Sequence, residues 1–119
     1  MINELAKEIH ENAKNKGFYD KEKNIGEMLC LIHSEVSEAL ECDRNGKYCN
    51  YYPLLDFIHE DEMKADFEHR IKDTFEDEMA DIVIRVLDLC AFKGIDIETH
   101  IKAKMRYNSL REYKHGKQY

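Results

Sequence analysis

The stretch Asp73-Thr74-Phe75-Glu76-Asp77-Glu78-Met79-Ala80-Asp81-Ile82-Val83-Ile84-Arg85-Val86-Leu87-Asp88-Leu89-Cys90-Ala91-Phe92-Lys93-Gly94 decides how the chain folds. Asp73 or Thr74 suits an N-cap, and Gly94 marks the stop. Between them, Met79, Ala80, Ile82, Val83, Ile84, Val86, Leu87, Leu89, Cys90 and Ala91 cover well over half of a helix's circumference. Glu78, Asp81, Arg85 and Asp88 interrupt them on one narrow stripe. A helix apolar on most sides is expected at the centre of a bundle. A charged stripe on such a helix must face a cleft, a partner or a cation.

The rest of the chain reads as further helices. Ile2, Leu5, Ile9 and Ala13 recur at helical spacing until Gly17 stops them. Asn24 followed by Glu27 resembles a capping box and opens a second helix. Leu29, Ile32, Val36, Ala39 and Leu40 form its expected apolar stripe, and Gly46 closes it. Residues 47–60 read as a loop around Tyr51-Tyr52-Pro53, with room for a short helix after Pro53. Met63, Phe67 and Ile71 suggest one or two further turns. Asp96 can cap a last helix from about Ile97 to Arg111, and the basic tail Tyr113–Tyr119 is expected to wrap back or to cross onto a neighbour. One proline and five glycines suit a few long helices. The expected fold class is therefore all-α, a helical bundle of four to five helices, with residues 1–119 as a single domain.

The formal net charge of −7 argues against binding nucleic acid. An anionic ligand would need a bound cation or a local basic patch. Cys30, Cys42, Cys49 and Cys90 match no zinc framework, and Cys30 and Cys90 sit in apolar runs as expected core thiols. No signal peptide is read at the start, so a reducing, cytoplasmic setting is expected. The longest uninterrupted apolar run, Met28–Ile32, is far too short to span a bilayer.

The chemistry lies in the carboxylates. Glu35 and Glu38 are three residues apart, which in a helix places them on one face about 4.5 Å apart along the axis. Glu78 and Asp81 repeat that spacing. Glu35 is expected on the shoulder of the apolar stripe, with Leu31 projecting between the directions of Glu35 and Glu38. Crowded carboxylates raise each other's pKa and stay ionised together only beside a cation. Hard oxygen ligands select Mg²⁺, Mn²⁺ or Ca²⁺, and four of them would hold two or more Mg²⁺ ions. The plainer reading is a solvated face, with Arg85 neutralising Asp81 as an i,i+4 pair. Spacing alone leaves both readings standing.

Three phrases in order bear on the choice: Ile32-His33-Ser34-Glu35-Val36-Ser37-Glu38-Ala39-Leu40-Glu41, then Asp73 to Arg85, then Lys104-Met105-Arg106-Tyr107-Asn108 through Lys114-His115-Gly116-Lys117. Together they resemble the MazG-like all-α nucleoside triphosphate pyrophosphohydrolases. The resemblance implies a helical bundle assembled as a homodimer or homotetramer. It implies Glu35, Glu38, Glu78 and Asp81 as ligands of Mg²⁺, with Mn²⁺ as an alternative ion. It implies cleavage of a (deoxy)nucleoside triphosphate between the α and β phosphates, in nucleotide-pool house-cleaning with a preference for dNTPs. Either Glu35 or Glu38 would serve catalysis by orienting the attacking water. The chain departs from its relatives in two ways. The stretch 43–72 reads as an insertion that shapes a base pocket, and Ser34 stands where some relatives carry an additional acid.

Lys104, Asn108 and Arg111 are spaced at i, i+4 and i+7, which suits a phosphate clamp on one helical face, or else a solvated basic face. Phe18, after Gly17, can stack on a base or pack over a helix end. His33 is expected as a packed or hydrogen-bonded side chain facing away from Glu35 and Glu38. Three rivals stand beside this reading. One is phosphoribosyl-ATP pyrophosphohydrolysis. Another is a non-catalytic helical interaction module. The third is a ferritin-like di-iron site, whose Glu-x-x-His pattern would have to come from Asp56/His59, Asp66/His69 or Glu112/His115.

Overall fold

The computed structural model of the chain describes residues 1–50 and 63–118. The fold is all-α, with five α-helices and no strand among the described residues. They are α1 (Ile2–Asn15), α2 (Ile25–Arg44), α3 (Met63–Arg70), α4 (Phe75–Phe92) and α5 (Ile97–Ser109), followed by a short 3₁₀ turn at Tyr113–Gly116. The expected loop at Tyr51-Tyr52-Pro53, the short helix after Pro53 and the Asp56/His59 pair lie outside the described residues.

The helix ends obey local chemistry. Asn24 accepts the Glu27 N–H at 3.1 Å and so caps α2. Asp96 accepts the Thr99 N–H at 3.1 Å and caps α5. Of the two candidates before α4, it is the Thr74 hydroxyl that accepts the Asp77 N–H, at 3.3 Å. The Asp77 carboxylate reaches back to the Asp73 N–H at 3.0 Å. Gly17 and Gly46 follow α1 and α2 with φ of +87° and +66°, a backbone region that suits glycine.

The chain forms two compact units. One comprises Met1–Lys21 and Leu87–Tyr119, and its buried apolar residues are Ala6, Leu87 and Cys90. There the start of α1 is tied to the start of α5. Glu98 Oε1 accepts the Ile2 N–H at 2.7 Å, and Asn3 Nδ2 donates to Asp96 at 2.7 Å. Asp88 accepts from the Tyr19 hydroxyl at 2.6 Å and bonds His10 Nδ1 at 2.9 Å. Burial, and then this bond, hold the Tyr19 hydroxyl well above its ordinary pKa.

The other unit is Glu22–Val86. Among its described residues the buried apolar ones are Met28, Ala39, Cys42, Cys49 and Ile71, and Met63 and Phe67 pack against the last two. Here the structure corrects the expected α2 stripe. The buried face carries Met28, Glu35, Ala39 and Cys42, while Leu29, Val36 and Leu40 remain about half exposed. Glu35 thus stands within the buried face instead of on its shoulder. Cys30, expected in the core, is exposed, because it lies two residues and about 200° round from Met28. Cys90 is buried as expected. Met79, Val83 and Ile84 are 44%, 51% and 45% exposed, so within this chain α4 is not enclosed on all its apolar sides.

Candidate metal centre

Two helices of the second unit bring the acids together. In α2, the three-residue step from Glu35 to Glu38 sets both on adjoining turns. In α4, Glu78 follows the Thr74 cap by four residues, and its own N–H bonds to Thr74 O at 3.0 Å. One carboxylate oxygen each from Glu35, Glu38 and Glu78 lies within 4.8 Å of the others. Glu35 is 8% exposed and Glu78 only 4%, while Glu38 faces solvent.

Asp81 does not join that trio among the described residues. It stays close enough to feel it: burial raises the Asp81 pKa first, and the charges of Asp77, Glu35 and Glu38 add, against Arg85. Arg85 departs from the expected i,i+4 pairing with Asp81. Its Nε donates to Glu35 Oε1 at 2.9 Å, a bond from α4 to α2. This partner was missed in the sequence. Its signal was that Arg85 stands seven residues after Glu78, two turns along the same face.

The electrostatics are those of acids short of positive charge. Burial alone would push Glu35 up, but hydrogen bonds from Arg85 and with Glu38 and Glu78, together with Arg85's charge, bring it below the ordinary range. Burial and then the neighbouring Glu38 and Glu35 carboxyls push Glu78 up to about 8. Glu35 Oε2 and Glu78 Oε2 are buried and accept no hydrogen bond from N–H or hydroxyl groups among the described residues. A proton shared between carboxyls, or a cation, is what such oxygens require. Two buried oxygens lacking donors, in an all-carboxylate set, fit a hard divalent cation such as Mg²⁺ or Mn²⁺.

Asp73, Asp77 and Glu78 form a second close group. The Asp77 bond to the Asp73 N–H accounts for much of it as part of the helix cap. Between α2 and the start of α4 lies a cleft of about 330 Å³, lined by Glu38, Glu78, Asp73, Cys42 and Lys47 among others. Cys42 Sγ donates to Asp73 O at 3.3 Å. Burial raises its pKa first, Glu78, Asp73 and Glu38 add, and Lys47 opposes them. A second cleft of about 370 Å³ lies in the other unit, between α1 and the α4–α5 turn, and is lined by none of the predicted site residues.

Lys104, Asn108, Arg111 and Phe18 belong to that other unit. The last helix ends at Ser109, so Arg111 does not continue the helical face of Lys104 and Asn108. The three still cluster in part. Lys104 Nζ and Arg111 Cζ stand 5.0 and 5.4 Å from the Tyr107 ring centroid, and Asn108 Oδ1 is buried without a donor among the described residues. Phe18 is 64% exposed. His33, expected to be packed or hydrogen-bonded, is exposed. No family model, curated protein or solved structure matches the chain. No helix among the described residues is long and apolar enough to cross a membrane.

Proposed function

We propose that the chain is a divalent-metal-dependent hydrolase of (deoxy)nucleoside triphosphates, cleaving between the α and β phosphates to give monophosphate and pyrophosphate. The observation that carries this reading is the Glu35–Glu38–Glu78 group with its two buried, donor-less oxygens. The ordered resemblance to MazG-like pyrophosphohydrolases supplies the reaction. Glu35, Glu38 and Glu78 would hold Mg²⁺, and Asp81 would adjust the local charge from beside them. When bound, the ion supplies Lewis acidity toward phosphate oxygens and water. Arg85 keeps Glu35 ionised by donating to its Oε1. Glu38, the exposed acid of the three, is left to take a proton from the attacking water.

The test is a panel of dNTPs, NTPs and phosphoribosyl-ATP, with pyrophosphate detection, with and without Mg²⁺. Mg²⁺-dependent pyrophosphate release supports the reading, and release from phosphoribosyl-ATP alone would transfer it to that rival. Turnover of ribonucleotides as fast as dNTPs would remove the expected sugar preference.

The half-exposed Leu29, Val36, Leu40, Met79 and Val83 favour a homo-oligomer, in which a second copy covers them. The same residues are what a non-catalytic interaction module would use. Thermal melts with Mg²⁺ and a non-hydrolysable dNTP separate the two readings. A joint rise belongs to the enzyme, and no shift for any nucleotide to the module.

A further inference from the structure

The cleft beside the acids is walled by Ser37, Glu38, Asn45, Lys47, Asp73 and Glu78. Lys47 is the one cation among its described lining residues. Its backbone is pinned on both sides. The Lys47 N–H donates to Cys42 O at 2.8 Å, and Lys47 O accepts the Phe75 N–H at 2.8 Å. These two bonds fix the residue between the end of α2 and the start of α4. The ammonium itself makes no ion pair with a described residue, although Glu38, Asp73 and Glu78 share its cleft. Arg44, three residues earlier, is by contrast taken up by Glu41 at 3.0 Å.

A lysine alone cannot draw an anion into a cleft with this many acids. Coulomb repulsion from the carboxylates outweighs one ammonium until a cation offsets them. With that offset, an unpaired ammonium carried on a fixed backbone becomes available as a phosphate donor. We propose that this cleft takes the phosphate chain of a polyphosphate, with the Lys47 ammonium donating to non-bridging phosphate oxygens and the Ser37 hydroxyl as a further donor in the same wall. The inference rests on the metal-site reading above.

Isothermal titration with inorganic tripolyphosphate in excess Mg²⁺ tests it, on the wild-type chain, Lys47→Gln and Lys93→Gln. The last removes the same charge from an exposed lysine outside the cleft. The wild type is expected to bind only with Mg²⁺, Lys47→Gln about 10-fold more weakly, and Lys93→Gln like the wild type. Melting of Lys47→Gln is expected to keep the full Mg²⁺-induced rise, which separates phosphate from metal binding. Equal affinity of Lys47→Gln and wild type, or equal loss in both variants, overturns the role of Lys47 and leaves the metal reading in place. Mg²⁺ binding by a wild type that takes no tripolyphosphate does the same. A wild type whose melting ignores Mg²⁺ overturns both.

Discussion

Replacing Glu78 by Gln should stabilise the metal-free chain and abolish its response to Mg²⁺. Glu78 is 4% exposed, and burial with its Glu38 and Glu35 neighbours lifts its pKa from 4.5 to about 8. The sign follows from proton counting. Between those two values the folded chain keeps a proton that the unfolded chain has released, so stability falls as pH rises and levels off above about 8. At pH 7, some 2.5 units above the ordinary value, 1.36 kcal/mol per unit amounts to about 3 kcal/mol. Gln cannot ionise, and its amide can donate to the Glu35 and Glu38 carboxylates. At a few degrees per kcal/mol, the variant should melt about 10 °C above wild type in chelator at pH 7. Mg²⁺ should raise the wild-type melting temperature, more at pH 8 than at pH 6 because binding must displace the proton. It should leave Glu78→Gln where it was. A variant that melts at or below wild type in chelator, or one that keeps the Mg²⁺ response, would falsify the reasoning.

Other perturbations follow from the same contacts. Arg85→Met removes the 2.9 Å bond to Glu35 and should cost about 1–2 kcal/mol in chelator, read by urea unfolding, while enlarging the Mg²⁺ response. Asp88→Ala removes the acceptor for Tyr19 and the partner of His10, and should lower unfolding stability by about 2 kcal/mol with no change in Mg²⁺ binding. Glu98 is held down to about 2 by hydrogen bonds from the Met1 amino group and the Ile2 and Asn3 N–H groups. Its stabilisation is therefore present above its ordinary 4.5 and lost as pH falls toward 2, so the melting gap between wild type and Glu98→Gln should close across that window. Val36→Lys and Val83→Lys place charge on half-exposed apolar positions, and light scattering should show a lower native mass than wild type; a monomeric wild type sinks the homo-oligomer reading.

The helices were legible because their punctuation is local. Asn24, Thr74 and Asp96 act within one turn, and the glycines after α1 and α2 need only their own φ. Periodicity was less informative about which face is buried. Apolar residues surround so much of α2 and α4 that the pattern does not single out Met28, Glu35, Ala39 and Cys42 as the buried set. That choice depends on what packs across, which is tertiary information. The last helix shows the same limit at its end. Nothing in Lys104 to Arg111 marks a stop, yet the helix closes at Ser109 and Arg111 turns back onto Tyr107.

For the site, spacing found the acids but grouped them differently from the packing. Sequence paired Glu78 with Asp81 and left Glu35 on a shoulder. The structure instead groups Glu78 with Glu35 and Glu38, and buries Glu35 beneath Arg85. Structural roles explain part of this. Asp77 completes the α4 cap, and Arg85 answers Glu35 Oε1. Neither role extends to Glu78, whose Oε2 is buried and accepts from no described donor. A buried acid in that state costs stability, and an apolar side chain of similar size would relieve the cost. As a structural residue Glu78 only opposes folding. As a cation ligand, the desolvation that penalises it alone is what makes it bind.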